Sequence, residues 1–198
     1  MLNAKALTDA LTKNTDEKLC KRWFLMTPNG TLLAYSKPTN IRDLRKQAAV
    51  AGLSWQEHQE AAQGESMAAD GETAKVAMPS LLRTLTIESE TSNTIVRKIQ
   101  PQLLLVLEGG VPPRRRTFEP RVTPEGPGDA PYPPLDANPD KSTLSSSVSS
   151  IAESTQSTAS RNVLHLQRKK LDALASAIAR SFEETGFKMP DEGNTKIF

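Results

Sequence analysis

At 198 residues, with 37% apolar and 5% aromatic side chains, the chain is long enough for one ordinary domain but too poor in apolar residues to be packed along its whole length. Its 25 basic and 23 acidic residues nearly cancel and are spread evenly, which disfavours a nucleic-acid partner, since such binding needs a concentrated basic face. A single cysteine rules out an intrachain disulfide, and the longest apolar run, Leu103 to Leu107, is far short of the roughly 20 residues that cross a bilayer.

Between Met1 and Lys13, the residues Ala4, Leu7 and Leu11 recur at helical spacing and predict a short amphipathic helix. Met1-Leu2-Asn3 has no signal-peptide apolar region and Lys196-Ile197-Phe198 no prenylatable cysteine, so membrane association is expected only indirectly. Trp23 to Ser36 (WFLMTPNGTLLAYS) sets two apolar runs around Pro28-Asn29-Gly30, the composition of a tight reversal, and predicts a β-hairpin. Cys20, just before it, is expected to be a half-buried strand residue and not a nucleophile. Asn40 then caps a helix over about 41–62, with Ile41, Leu44, Ala48, Ala51, Trp55 and Ala62 on one face. Gln63 to Pro79, rich in Gly, Ala, Asp and Glu, predicts an aperiodic connection.

From Ser80 the period changes to two. Leu81, Leu85 and Ile87 alternate with Thr84, Thr86 and Glu88, a strand with one buried and one wetter face. A turn over Glu88 to Asn93 leads to a second strand, Thr94 to Ile99, and Gln102 to Glu108 is apolar on both sides, as in a central strand. Gly109-Gly110 is read as its end. Residues 109–160 hold nine of the 14 prolines and nine serines, and predict a disordered insertion. Beyond it Leu164, Leu171, Leu174, Ala175, Ile178 and Phe182 form the stripe of a helix over about 161–185, closed by Gly186 and followed by a flexible tail, 187–198. The expected fold is α/β (α+β): a five-stranded, antiparallel-rich sheet sandwiched between helices, built from residues 1–108 and 161–186.

Little here points to chemistry. His58 and His165 lie on different predicted helices without Cys, Asp or Glu at ligand spacing, and no dinucleotide-binding or phosphate-loop motif occurs. No catalytic residue, metal ligand or cofactor is predicted. Arg114-Arg115-Arg116-Thr117 and Thr123-Pro124 match basophilic and proline-directed kinase motifs, which makes Thr117 and Thr123 candidate phosphosites against the simpler reading of a solvated linker. Trp55 fits an interface anchor or ordinary core packing equally well.

Three stretches resemble the Roadblock dynein-light-chain superfamily: Met1-Leu2 with Lys5-Ala6-Leu7-Thr8 and Leu11, then Asn29 to Ser36 (NGTLLAYS), then Leu103-Leu104-Leu105. Within it the chain is most similar to the late endosomal and lysosomal Ragulator adaptor subunits that pair with a MAPK scaffold protein; its long insertion suggests a fungal-type relative. The resemblance implies a Roadblock/longin-like fold and a heterodimer in which the strand Ser80 to Glu88 pairs across the interface and the helix Ile41 to Ala62 packs on its counterpart. Ile41, Leu44, Ala48, Ala51, Trp55, Leu81, Arg83, Leu85 and Ile87 would form that interface. An apolar edge strand without Lys or Pro inside it does need a cover. The implied partners are another Roadblock-type subunit, a lipidated anchoring subunit and Rag-type small GTPases, held at the late endosome, lysosome or vacuole membrane for amino-acid signalling to TOR complex 1, the complex also acting as a guanyl-nucleotide exchange factor. The alternatives are a Roadblock-type dynein light chain, or a regulator of nucleotide exchange or hydrolysis on a small GTPase.

Overall fold

The computed structural model of the chain describes residues 3–64, 82–111, 120–133 and 151–190. Asn3 opens α1 (Ala4–Lys13) by accepting the Ala6 amide on its side chain at 3.0 Å. The predicted hairpin follows as β1 (Cys20–Met26) and β2 (Leu32–Tyr35), with Phe24 opposite Tyr35 and Leu25 opposite Ala34. Asn40 accepts the Arg42 amide at 3.0 Å and starts α2 (Ile41–Gly64), so the N-cap read from the sequence is the one used.

Past residues 65–81, which lie outside the described residues, come β3 (Thr84–Glu88), β4 (Ser92–Gln100) and β5 (Leu103–Gly110). A sixth strand, β6 (Arg121–Glu125), precedes the closing helix α3 (Ile151–Thr185). All neighbours in the sheet are antiparallel and their order is β2-β1-β5-β4-β3-β6. The hairpin therefore sits at one end and β3 lies near the other.

Strand alternation divides the core in two. On one face Phe24, Met26, Leu85, Val96, Leu104 and Val106 pack against Leu44, Ala48, Ala51 and Trp55 of α2. On the other, Trp23, Leu25, Ile95, Leu103, Leu105 and Leu107 pack against Leu11 of α1 and the Leu164 to Phe182 stripe of α3. β5 supplies both clusters, which is why Gln102 to Glu108 reads as apolar throughout.

Expectations about the sheet, the insertion, Thr84 and Thr86, and the tail need correction. The sheet has six strands, because part of the Pro- and Ser-rich insertion forms β6. α3 begins at Ile151, inside the segment expected to be disordered, and the remaining insertion residues, 112–119 and 134–150, lie outside the described residues. Thr84 and Thr86 are buried, and Arg168 of α3 reaches over this face to Thr84. The tail starts anchored: Gly186 at φ +63 ends α3, the Phe187 ring lies 5.0 Å from that of Phe182, and the Met189 amide donates to Gln100 at 2.8 Å. Residues 191–198 lie outside the described residues.

Gly109-Gly110 belongs to β5 instead of ending it, and packing explains both glycines. The buried Gln167 side chain lies against Gly109, where an added Cβ would collide with its Nε2; at Gly110 one would collide with the Lys18 carbonyl oxygen. Gln167 donates from Nε2 to the carbonyls of Leu19 (2.9 Å) and Gly110 (2.7 Å) and accepts from Asn93 at 2.9 Å. Gly109→Ala is expected to expel that amide and cost about 2–3 kcal/mol through overpacking and stranded polar groups. Urea denaturation measures the loss; a stability within about 0.5 kcal/mol of the parent would contradict the packing described.

Candidate interaction surface

The expected pairing residues do come together, but most of them face inward. Leu44, Ala48, Ala51, Trp55 and Leu85 are all at most 1% exposed, buried within the chain's own core. Trp55 is core, and its indole Nε1 donates to Gln59 Oε1 at 3.0 Å. Ile41 and Ile87 are half-buried, Arg83 is exposed, and Leu81 lies outside the described residues. The apolar period of α2 thus marks the face that folds.

The opposite face of α2 was not read from the sequence. Ala49 is exposed, Val50 is 60% exposed and Leu53 68% exposed, three apolar side chains on one patch of the helix surface. Isolated exposed apolar residues need no explanation, whereas Val50 and Leu53, three residues apart, are neighbours on the outward face of the helix. The signal was present as a break in amphipathic pattern: Val50 and Leu53 stand where the wet face needs polar residues.

At the end of the sheet, β3 is not an edge. β6 pairs along its whole length, with Thr84 opposite Glu125, Thr86 opposite Thr123 and Glu88 opposite Arg121. Pro124 is tolerated in this ladder because β6 is itself the outermost strand. Two clasps hold it. Arg168 of α3 reaches Glu125 with both terminal nitrogens, Nη1 to Oε1 at 2.5 Å and Nη2 to Oε2 at 2.8 Å, and both side chains are 7% exposed. Burial works against the Arg168 charge, but the hydrogen bonds and negative charge of Glu125, with Asp172, win and hold its pKa above the ordinary value. Thr84 Oγ1 lies 3.3 Å from Arg168 and accepts from Arg97 at 2.8 Å, and Asp172 Oδ2 accepts from Arg168 Nε at 3.0 Å. At the other end the Tyr132 hydroxyl donates to Glu88 at 2.7 Å and the Arg121 guanidinium lies 5.0 Å from the Tyr132 ring centroid.

Of the candidate phosphosites, Thr117 lies outside the described residues and Thr123 sits in β6 with a buried Oγ1. Cys20 is fully buried, more than the half-burial expected, and desolvation pushes its thiol up to about 11. His58 Nδ1 lies 2.8 Å from the Ser54 carbonyl, an ordinary helix contact. A further groove of about 210 Å³ opens between α1 and α3, floored by Leu7, Ala10, Leu174, Ile178, Phe182 and Phe187. Among the described residues, no helix is long and apolar enough to cross a membrane.

MglB of Myxococcus xanthus shares this architecture at 11% identity, with a TM-score of 0.53 over 96% of this chain and 97% of that one. The chain has a Roadblock-type fold. A Roadblock/LC7 domain from Streptomyces avermitilis aligns at 14% identity and a TM-score of 0.39, over 53% of this chain and 76% of that one. The gliding protein MglB of Thermus thermophilus aligns at 14% identity and a TM-score of 0.42, over 54% and 73%. No protein-family model and no curated protein matches the sequence. In this Roadblock-type fold Leu85 is a core residue, so Leu85→Asp should cost at least about 3 kcal/mol and abolish folding, not association alone. Circular dichroism melting checks this, and a cooperative melt near the parental temperature would return Leu85 to the surface.

Proposed function

We propose that the chain is a non-catalytic scaffold subunit that pairs with another Roadblock-type protein and, in a Ragulator-like assembly, holds Rag-type GTPases at the late endosomal, lysosomal or vacuolar membrane for signalling to TOR complex 1. A lipidated subunit supplies the membrane attachment. The observation that carries the pairing is the exposed Ala49, Val50 and Leu53 patch on α2, on the side away from the chain's own sheet. Removing a Val or Leu side chain fully from water is worth about 1.5–3 kcal/mol, so a counterpart helix has much to gain there. The Roadblock-type fold and the likeness of Met1 to Leu11 and Asn29 to Ser36 to Ragulator adaptors support the choice of partner class. The mechanism is proximity and orientation: helix and sheet surfaces hold other proteins in register, and no reacting group is required.

Affinity purification of the tagged chain from its native cell, followed by mass spectrometry, is expected to recover a second Roadblock protein, a lipidated subunit and Rag-type GTPases. Recovery of dynein intermediate chain in their place would replace this reading with the light-chain one. The double variant Val50→Lys, Leu53→Glu should retain the parental fold within about 0.5 kcal/mol, both positions being exposed, yet lose the Roadblock partner. Unchanged recovery of that partner by the folded variant would remove the α2 patch from the interface.

A further inference from the structure

β6 occupies the place along β3 where a partner strand was expected, and its hold there is uneven. Arg121, Val122 and Pro124 are exposed, only Glu125 of its five residues is buried, and none of the five belongs to either apolar cluster. Its Thr123 hydroxyl and the facing Thr86 hydroxyl are both buried without a hydrogen-bond partner among the described residues, a mismatch within the ladder itself. What retains β6 is the backbone ladder, the Glu125 clasp at one end and the Tyr132 contacts at the other. A strand held by hydrogen bonds and one ion pair, with little apolar burial, lies at the low-stability end of a fold.

We propose that β6 is a detachable cover for the β3 edge, competing there with an extended segment of a partner protein that must bring its own carboxylate to Arg168. The inference deepens the scaffold reading and rests on it for the source of the incoming strand. Its chemistry follows from what β6 leaves behind. With Glu125 withdrawn, Arg168 and Arg97 share Asp172 as their carboxylate, in a site where Arg168 is 7% exposed. Burial already pulls Arg97 below its ordinary pKa, so two guanidiniums with only Asp172 between them are poorly compensated there. A strand with Asp or Glu opposite Thr84 restores the two-pronged pairing of Arg168, whereas a neutral one leaves Arg168 to Asp172, shared with Arg97. On the α2 side the newcomer must cover Leu85 and Ile87, which oppose Pro124 and Val122. The partner segment is therefore a five-residue strand with apolar second and fourth positions and an acidic fifth, added by β-augmentation.

The probe is a fluorescein-labelled peptide of residues 119–126 (EPRVTPEG), titrated by anisotropy against the full chain and against its Glu125→Gln variant. The variant, its own cover weakened, is expected to bind the peptide at least about 10-fold tighter than the parent, because apparent affinity scales with the open fraction. The same peptide carrying Glu125→Gln is expected to bind the variant at least about 10-fold more weakly. Equal binding by parent and variant, or indifference to the peptide carboxylate, overturns the proposal. Hydrogen exchange on the unmodified chain gives a second reading that needs no variant: β6 amides should exchange at least about 100-fold faster than those of β5. Equal rates, meaning that β6 leaves only on global unfolding, overturn it as well. Neither assay contains a Roadblock partner, so failure here leaves the scaffold reading standing, and failure of the co-purification leaves edge exchange standing.

Discussion

The fold turns on the amide of Gln167. From the middle of α3 it bonds to the chain before β1, to the end of β5 and to Asn93 of β4, and the last two of these contacts are fully buried, where water cannot take their place. This fixes the helix along its axis and about it, which apolar packing alone does only loosely. Gly109 and Gly110 follow from it, since the amide and the neighbouring Lys18 carbonyl fill the space where side chains would stand. So does the placement of Arg168, one residue on, at the junction of β3 and β6. Two adjacent polar residues thus tie one helix to four of the six strands, Gln167 to β4 and β5 and Arg168 to β3 and β6, and Gln167 also holds the residue that leads into β1.

Much of this architecture was readable beforehand, for reasons that differ by element. The hairpin announced itself through turn chemistry between two apolar runs, the α2 helix through a cap and a one-sided stripe, and β5 through an apolar run with no wet face. All three signals are local. β6 was not readable because its cohesion is not local: Arg121 to Glu125 has little to bury, contains a proline, and becomes a strand only when β3 and Arg168 are already in place. Composition correctly described that segment as unable to form a core and missed that it can lean on one. Gln167 and Arg168 did leave a trace. They stand three and four residues after Leu164, inside the apolar stripe of α3, where polar side chains require buried partners.

The interaction surface shows the limit of periodicity more sharply. A repeating apolar face reports burial without saying whether the cover comes from the same chain or another. For Leu44, Ala48, Ala51, Trp55 and Leu85 the cover is the chain's own sheet and helix. Residues that break the pattern carry different information: Val50 and Leu53 are exposed apolar side chains where a wet helix face calls for polar ones. The resemblance to Roadblock proteins assigned contact to side chains of α2 and β3, and most of these build the core of the chain itself.

β6 also has a consequence for how the molecule responds to abundance. Because it belongs to the chain it covers, its supply at the β3 edge is fixed by the tether and does not fall on dilution, whereas any strand arriving from outside follows mass action. Occupancy of that edge by an outside strand would then rise only once the partner's concentration outweighs this built-in local one. The insertion that composition predicts to be disordered would in this way set the threshold at which assembly begins.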